Sequence, residues 1–172
     1  MSTVQTSSQK DFSLTYEFNA PKQLVFNAFS TAEALNEWWG PAESKNSAIS
    51  LDFRPGGMFH FKMEFGEQVS YGRLIFDKIE PYDLLEFTNA FADEQANVVK
   101  APFDIPLPPE IAYRLVFSEE NGKTRIVITG KPVNGTAEET DGFHSIREDM
   151  QRGFASQFDQ LAIYLSKTGS RQ

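Results

Sequence analysis

Residues 143–165 read FHSIREDMQRGFASQFDQLAIYL, and this stretch decides the predicted fold. Its large apolar residues recur at steps of three or four: Phe143, Ile146, Met150, Phe154, Phe158, Leu161 and Leu165. That spacing places them on one face of a helix, with polar residues such as Arg147 and Gln160 on the other. The pattern predicts a long amphipathic C-terminal helix that needs an apolar partner surface. Gly153 within it either allows close approach to that surface or leaves room for a ligand.

The partner surface is predicted from the preceding residues, which alternate between apolar and polar as strands do. Residues 11–18 form the first such segment, and two short helices follow around residues 24–29 and 31–38, the second ended by Gly40 and Pro41. Further alternating segments run from residue 47 to residue 131, separated by tight turns such as Asn121-Gly122. Tight turns join antiparallel neighbours, so these segments predict an antiparallel sheet of about seven strands.

We therefore predict an α+β fold of the helix-grip type. A curved antiparallel sheet of about seven strands wraps around the long C-terminal helix, with two short helices after the first strand. Because only this helix can cover the apolar face of the sheet, we expect space between them, with a cavity of roughly 300 Å³ or more, in the usual size range of ligand sites. Residues 1–10 are expected to form a disordered tail and residues 11–168 a single domain.

Composition excludes several classes of site. The 172-residue chain has no cysteine, which rules out disulfides, thiolate nucleophiles and cysteine-bound zinc. Its two histidines, His60 and His144, exclude a multi-histidine metal site, and no cofactor is expected. The net charge of −8 disfavours nucleic acid and anionic membranes as partners. No apolar run approaches a membrane span or a signal peptide, so a soluble, cytoplasmic protein is expected.

Several short motifs, in this order and spacing, carry a family resemblance. They are residues 18–21 (FNAP), 25–29 (VFNAF), 35–41 (LNEWWGP), 52–57 (DFRPGG), 71–73 (YGR), 79–81 (IEP), 121–125 (NGKTR) and 158–165 (FDQLAIYL). Together they span about residues 12–166. The sequence resembles the START-like superfamily, also called SRPBCC. Within it, the chain is similar to the branch named after the activator of heat-shock protein 90 ATPase.

The resemblance implies function only in general terms. Relatives include proteins that bind small hydrophobic ligands and others with cyclase or ligand-sequestering roles. It supplies no invariant catalytic residues. The eukaryotic co-chaperones of that name carry a further N-terminal domain that docks on the chaperone, and no such domain fits before Asp11. A chaperone partner is therefore not expected, although it is not excluded.

The leading hypothesis is a ligand pocket between the long helix and the concave sheet face, for a small hydrophobic or aromatic molecule. The predicted walls are Trp38, Trp39, Phe59, Phe61, Met63, Tyr71, Phe87, Tyr113, Met150 and Phe154. Adjacent residues of a helix point about 100° apart, so only one of Trp38 and Trp39 is expected to face the cavity.

Two further hypotheses stay open. One is a cyclase-type or hydrolase-type enzyme with an acid or base among Tyr71, Tyr113, His60 and Glu86. The other is a protein-interaction module with a filled interior and an exposed apolar patch, co-chaperone action included. A homodimer is compatible with each hypothesis. His60 and His144 are interpreted as surface residues.

The connection from residue 90 to residue 110 contains four prolines and cannot be a regular strand. It is either a rim of the binding site or a surface loop that packs on its own side chains. A rim would bring Phe103, Ile105 or Leu107 to the cavity mouth.

Overall fold

The structure, a computed structural model, describes residues 12–40, 43–101 and 104–169. Its strands are β1 (Phe12–Phe18), β2 (Lys45–Leu51), β3 (Met58–Phe65), β4 (Gln68–Glu80), β5 (Leu84–Ala92), β6 (Glu110–Glu120) and β7 (Lys123–Val133). They form one seven-stranded sheet in the order β1-β7-β6-β5-β4-β3-β2, with every neighbouring pair antiparallel. The predicted α+β helix-grip fold is thereby confirmed. The expectation for residues 1–10 lies outside the described residues.

Four helices complete the described part of the fold. They are α1 (Lys22–Asn27), α2 (Ala32–Trp38), α3 (Ala137–Ser145) and α4 (Arg147–Gly169). The two short helices follow β1, as the sequence predicts. Thr31 caps α2, because its hydroxyl oxygen accepts a hydrogen bond from the backbone N–H of Ala34 at 3.2 Å. Pro41, the predicted helix stop, lies outside the described residues.

The C-terminal helix begins differently from the prediction. In place of one helix through residues 143–165, the helix is interrupted at Ile146, between α3 and α4. A capping box of Thr136 and Glu139 starts α3. Its Gly142 lies so close to the proline-rich connection that an added Cβ would be 1.8 Å from the Pro106 carbonyl oxygen. The break therefore lets α3 pack on that connection while α4 packs on the sheet.

The C-terminal part of α4 is gripped by the inner face of the sheet, defined here as the face toward α4. Phe158, Leu161 and Leu165 are 1%, 0% and 5% exposed. The Phe158 ring packs edge-on against Phe18 at a centroid distance of 5.7 Å. The predicted apolar face of the helix is therefore confirmed over its C-terminal half.

The N-terminal half of α4 is less buried. Met150 and Phe154 pack against the core but keep part of their surface exposed. Gly153 points away from the sheet: it is exposed, and an added Cβ would meet no atom within 4 Å. Both interpretations offered for Gly153, close packing and ligand room, are therefore wrong.

Side-chain amides from the helices cover backbone groups at both edges of the sheet. At the β1 edge, Gln151 of α4 donates from Nε2 to the carbonyl oxygen of Ser13 at 2.9 Å. At the β2 edge, the side-chain oxygen of Asn36 in α2 accepts from the backbone N–H of Ala48 at 2.7 Å. Each edge strand is thus tied to a helix as well as to its neighbouring strand.

A second contact between β1 and α4 contains a titratable group. The hydroxyl of Tyr16 donates a hydrogen bond to the carboxylate of Asp159. Burial of the phenol, the hydrogen bond and the charge of Asp159 together raise the pKa of Tyr16 from its ordinary value near 10 to about 12. The folded state therefore favours the neutral phenol.

Tyr16→Phe is expected to lower the free energy of unfolding at pH 8 by about 0.5–1 kcal/mol, a small value because solvent reaches this pair. Because the folded-state pKa is raised, the contribution is fully present below pH 10 and is lost as the pH rises from 10 to about 12. Urea unfolding of both proteins at pH 8, 10 and 12 measures this. The two stability curves should converge with pH, and a constant separation would contradict the assignment.

The outer face of the sheet, opposite α4, is partly covered by the turn after β5. His60 lies on this face and is only 4% exposed, and its Nε2 is 3.0 Å from the carbonyl oxygen of Asp93 in that turn. Arg73 donates to the carbonyl oxygen of Ala96 at 3.0 Å. The prediction that His60 is a surface residue is wrong, since a segment distant in sequence folds back over it.

Candidate functional site

A cavity of about 160 Å³ lies between α4 and the inner face of β3, β4 and β5. Its walls combine aromatic and apolar groups with two side-chain amides. The lining residues are Trp39, Phe61, Met63, Gly72, Asn89, Ala90, Phe91, Phe154 and Gln157. The cavity lies where the sequence predicts a pocket, but its volume is about half of the expected minimum.

The two tryptophans have different roles. Trp38 is 1% exposed, donates from Nε1 to the carbonyl oxygen of Ala28 at 3.0 Å, and packs edge-on against Phe29. It anchors α2 in the core. Trp39, the residue that ends α2, lines the cavity and contacts the ring of Phe61 at a centroid distance of 5.7 Å. Trp39 is therefore the tryptophan at the cavity.

Trp39 is held in place by a clamp between its neighbour Gly40 and two glutamines of α4. The N–H of Gly40 donates to Gln157 Oε1 at 3.0 Å, and its carbonyl oxygen accepts from Gln160 Nε2 at 2.9 Å. Gln160 Nε2 also donates to the carbonyl oxygen of Trp38 at 3.2 Å. The clamp fixes the C-terminal end of α2 against α4, the helix that forms the opposite wall of the cavity.

Gly72 shapes the sheet side of the cavity. It pairs in register with Phe61 of the neighbouring strand, and an added Cβ would lie 2.4 Å from the tip of the Phe61 ring. The ring therefore lies directly over the glycine. This packing brings aromatic surface across the cavity floor and contributes to its small volume.

The polar groups of the cavity are Asn89 and Gln157. Asn89 Nδ2 donates to the carbonyl oxygen of Arg73 at 3.0 Å, and Gln157 Oε1 is engaged by Gly40. Among the described residues that line the cavity, none has an acidic or basic side chain. Burying an unpaired charge against such a lining is costly.

The structure brings four of the predicted wall residues together: Trp39, Phe61, Met63 and Phe154. Four others are buried in the core around the cavity without lining it: Trp38, Phe59, Phe87 and Tyr113. Met150 packs against the core one helical turn before Phe154 and is also absent from the lining.

Tyr71 lies on the outer face of the sheet. It pairs in register with Lys62, and its ring centroid is 5.9 Å from that of His60. Its neighbour Gly72 has the inward position instead. The prediction that Tyr71 lines the pocket is therefore wrong, because Tyr71 lies on the outer face of its strand.

Sequence reasoning missed Gly72, Asn89, Ala90, Phe91 and Gln157 as lining residues. Three of them could have been found. Asn89 and Phe91 continue the alternation that places Phe87 on the inner face, and Gln157 lies three residues after Phe154 on the same helix face.

The described part of the predicted rim, residues 104–109, does not reach the cavity, and residues 90–92 of the predicted connection belong to strand β5. Pro106 packs against Gly142 of α3 instead. Ile105 is 40% exposed. The prediction for Phe103 lies outside the described residues.

The candidate acid and base groups are not assembled at the cavity. Glu86 is paired with Arg114 at 3.3 Å, and His60 and Tyr71 lie on the outer face. Within residues 12–40, 43–101 and 104–169, no group of three His, Asp or Glu side chains could hold a metal ion. None of the four candidates, Tyr71, Tyr113, His60 and Glu86, is among the described residues that line the cavity.

A second, larger space of about 820 Å³ is an open groove, and the smaller cavity under α4 is likewise partly open to solvent. The lining of the groove includes inner-face residues such as Phe12 and Tyr113 and outer-face residues such as Glu86 and Arg114. Because most of the lining belongs to the outer-face set, with members as far into the sheet as β4 and β5, the groove lies mainly on the outer face of the sheet.

A curved antiparallel sheet gripping a C-terminal helix over a small apolar cavity defines the START-like class of proteins. The model of the family described as Activator of Hsp90 ATPase homolog 1-like protein matches residues 19–166. The chain therefore belongs to this family, whose fold commonly has a ligand-binding cavity. No curated protein matches the chain.

Solved structures agree with the fold. The crystal structure of protein Ms6760 from Mycobacterium smegmatis has 22% identity and a TM-score of 0.73, covering 91% of this chain and 90% of that one. A solution structure from Arthrobacter aurescens has 25% identity and a TM-score of 0.72, covering 90% and 85%. DynU16, a putative protein in the dynemicin biosynthetic locus, has 16% identity and a TM-score of 0.63, covering 90% and 46%.

None of the helices in the described ranges is long and apolar enough to span a bilayer.

Proposed function

We propose that the protein binds a small, neutral, mainly aromatic molecule in the cavity under α4. The observation that carries this proposal is the lining itself: rings from Trp39, Phe61, Phe91 and Phe154 surround the space, together with two amides. Aromatic surfaces favour edge-to-face and offset contacts with another ring. The amides of Asn89 and Gln157 supply hydrogen-bonding groups that can orient a polar substituent.

The size of the cavity limits the ligand. An apolar protein cavity of about 150 Å³ accepts a molecule the size of benzene. With about 160 Å³, this cavity fits a single ring with few substituents. Larger polycyclic or polyketide-like ligands would require Phe154 or Phe61 to move. The absence of charged groups in the lining supports a neutral ligand over an ionised one.

The tryptophan indole N–H signals in a nitrogen-edited NMR spectrum provide a direct test. Toluene and phenol are suitable probes, because both are neutral single rings. The Trp39 signal should shift on titration, since Trp39 lines the cavity. The Trp38 signal should stay in place, because its N–H is bonded to Ala28 within the core. Equal shifts at both indoles, or none at Trp39 at millimolar probe, would contradict the proposal.

Gly72→Ala is expected to weaken toluene binding at least tenfold. The new Cβ would lie 2.4 Å from the Phe61 ring and would push that ring off the strand toward the cavity. Loss of one well-packed ring contact and part of the cavity volume is sufficient for an effect of this size. Titration of toluene into the wild-type protein and the variant, followed by NMR, measures the change.

Gly130→Ala is the matched control. Gly130 is also a strand glycine under an aromatic ring, with Tyr113 Cε1 2.7 Å from an added Cβ, but it does not line the cavity. Both variants should lose stability, and toluene affinity should fall only for Gly72→Ala. Parallel losses of affinity would show that general destabilisation explains the effect.

A further inference from the structure

Asn89 places a polar side chain on the inner face of β5. Its register partners are Leu74 of β4 and Ile111 of β6, and Phe91, two residues later, shares its face. Leu74 is only 3% exposed, so the sheet is covered by the core at this level. Asn89 itself keeps part of its surface exposed and lines the cavity under α4. The space that its side chain meets on the inner face is therefore that cavity.

The orientation of the Asn89 amide is set by a hydrogen bond to the neighbouring strand. The carbonyl oxygen of Arg73 can only accept, so the amide atom 3.0 Å from it is the donor Nδ2. The other amide atom, Oδ1, is an acceptor with no partner among the described residues. It also remains in contact with accessible space, unlike Arg73 Nε, which is unpartnered and fully enclosed.

Gln157 and Trp39 provide complementary groups on the other walls. The Gly40 N–H can only donate, so the Gln157 atom 3.0 Å from it is Oε1. Gln157 Nε2 is then a donor for which the described residues supply no acceptor. The indole N–H of Trp39 also has no acceptor among them. The residues that line the cavity thus carry a free acceptor from β5 and free donors from α4 and the end of α2.

These groups distinguish between kinds of ring substituent. An ether, a ketone or an ester offers only acceptors and would leave Asn89 Oδ1 unpaired, and a methyl group offers neither donor nor acceptor. A hydroxyl both donates and accepts. A phenol has a pKa of about 10 and is therefore neutral at pH 7, which suits a cavity whose described lining is uncharged.

We propose that the cavity under α4 selects phenols, with Asn89 as the residue that determines this specificity. The phenol hydroxyl donates its hydrogen to Asn89 Oδ1, and its oxygen accepts from Gln157 Nε2. The ring packs against Phe61 and Phe154. This inference rests on the function proposed above, since a single ring must enter the cavity, and it adds the polar group that the ring carries.

Phenol and toluene are the probes, because they are similar in size and differ in the hydroxyl. In the wild-type protein at pH 7, phenol should bind at least about fivefold more tightly, since toluene leaves Asn89 Oδ1 unpaired. The side-chain amide signals of Asn89 and Gln157 in a nitrogen-edited NMR spectrum should shift more with phenol. Toluene binding as tight as that of phenol would overturn this inference and leave the proposed function standing, whereas no binding of either probe would overturn both.

Asn89→Leu removes the acceptor with little change in side-chain size. The order of affinities should reverse, with toluene binding at least about fivefold more tightly than phenol, because the hydroxyl then loses its hydrogen bonds to water without replacement. Retained toluene binding shows that the variant is folded and that the cavity persists. An unchanged preference for phenol would overturn the role of Asn89. If the variant does not fold, the comparison in the wild-type protein decides the question.

Asn36→Leu provides a control with the same substitution. The side-chain amide of Asn36 also bonds to a backbone group, the N–H of Ala48, but Asn36 does not line the cavity. The ratio of phenol affinity to toluene affinity should stay within about twofold of the wild-type ratio. A change equal to that of Asn89→Leu would mean that loss of an amide elsewhere in the fold alters the preference, which would overturn the assigned specificity.

Discussion

Phe158→Ala is expected to lower the free energy of unfolding by about 3–5 kcal/mol, the range for truncating a fully buried phenylalanine. Phe158 is 1% exposed and packs against the rings of Tyr16, Phe18 and Trp38. These rings come from β1 and α2, so the cavity left by truncation cannot close by movement of one side chain. Because domains of this size are stabilised by only about 5–15 kcal/mol, urea unfolding should show the loss clearly.

Phe154→Ala and Met150→Ala provide the comparison on the same helix. Both residues are only partly buried, and Phe154 already borders empty space. Each truncation should therefore cost about 1–3 kcal/mol, less than that of Phe158. Phe154→Ala should also change toluene binding, whereas Phe158→Ala should not while the protein remains folded. Equal, large losses at all three positions would indicate a continuous packed core and would contradict the ligand cavity.

Gly40→Ala is expected to have the second large effect, on both stability and binding. Gly40 has a φ of +101°, and an added Cβ would lie 2.4 Å from the side chain of Asn46. Backbone strain at such a φ costs about 1–3 kcal/mol. Displacing Gly40 would also break its hydrogen bonds to Gln157 and Gln160, which position Trp39. We expect a total loss of about 3–4 kcal/mol, together with weaker toluene binding.

Gly56→Ala separates the two causes. Gly56 has a similar φ of +83°, but an added Cβ there would meet no atom within 4 Å. Its replacement should therefore report backbone strain alone, with toluene affinity unchanged. Thermal unfolding and toluene titration of both variants measure the difference. If Gly40→Ala and Gly56→Ala lost equal stability and both bound toluene normally, the clamp would have no role at the cavity.

The fold could be predicted because its signals are local and repeated. Alternation in β1 and β3 correctly placed Phe12, Phe18, Phe59 and Phe61 on the inner face. The helical spacing of Phe158, Leu161 and Leu165 identified the face that packs on the sheet. These patterns depend only on the periods of strand and helix, which the sequence contains directly.

The site was harder to predict because its determinants are glycines and distant segments. Gly72 carries no hydrophobic signal, so the sequence pattern favours Tyr71 beside it as the inward residue. His60 is buried by the turn at Asp93, which no local pattern connects to β3. The volume of the cavity depends on how the rings of Trp39 and Phe61 pack against each other, which spacing does not determine.

The amide bonds at the two edges of the sheet bear on self-association. An unprotected edge strand can pair with a strand of another molecule and so begin aggregation. Here, a new strand at the β1 edge would have to displace Gln151 from the Ser13 carbonyl, and one at the β2 edge would have to displace Asn36 from the Ala48 N–H. The helices that enclose the cavity thus also oppose growth of the sheet into intermolecular β-structure. Substitutions at Asn36 or Gln151 should therefore increase aggregation more readily than they change ligand affinity.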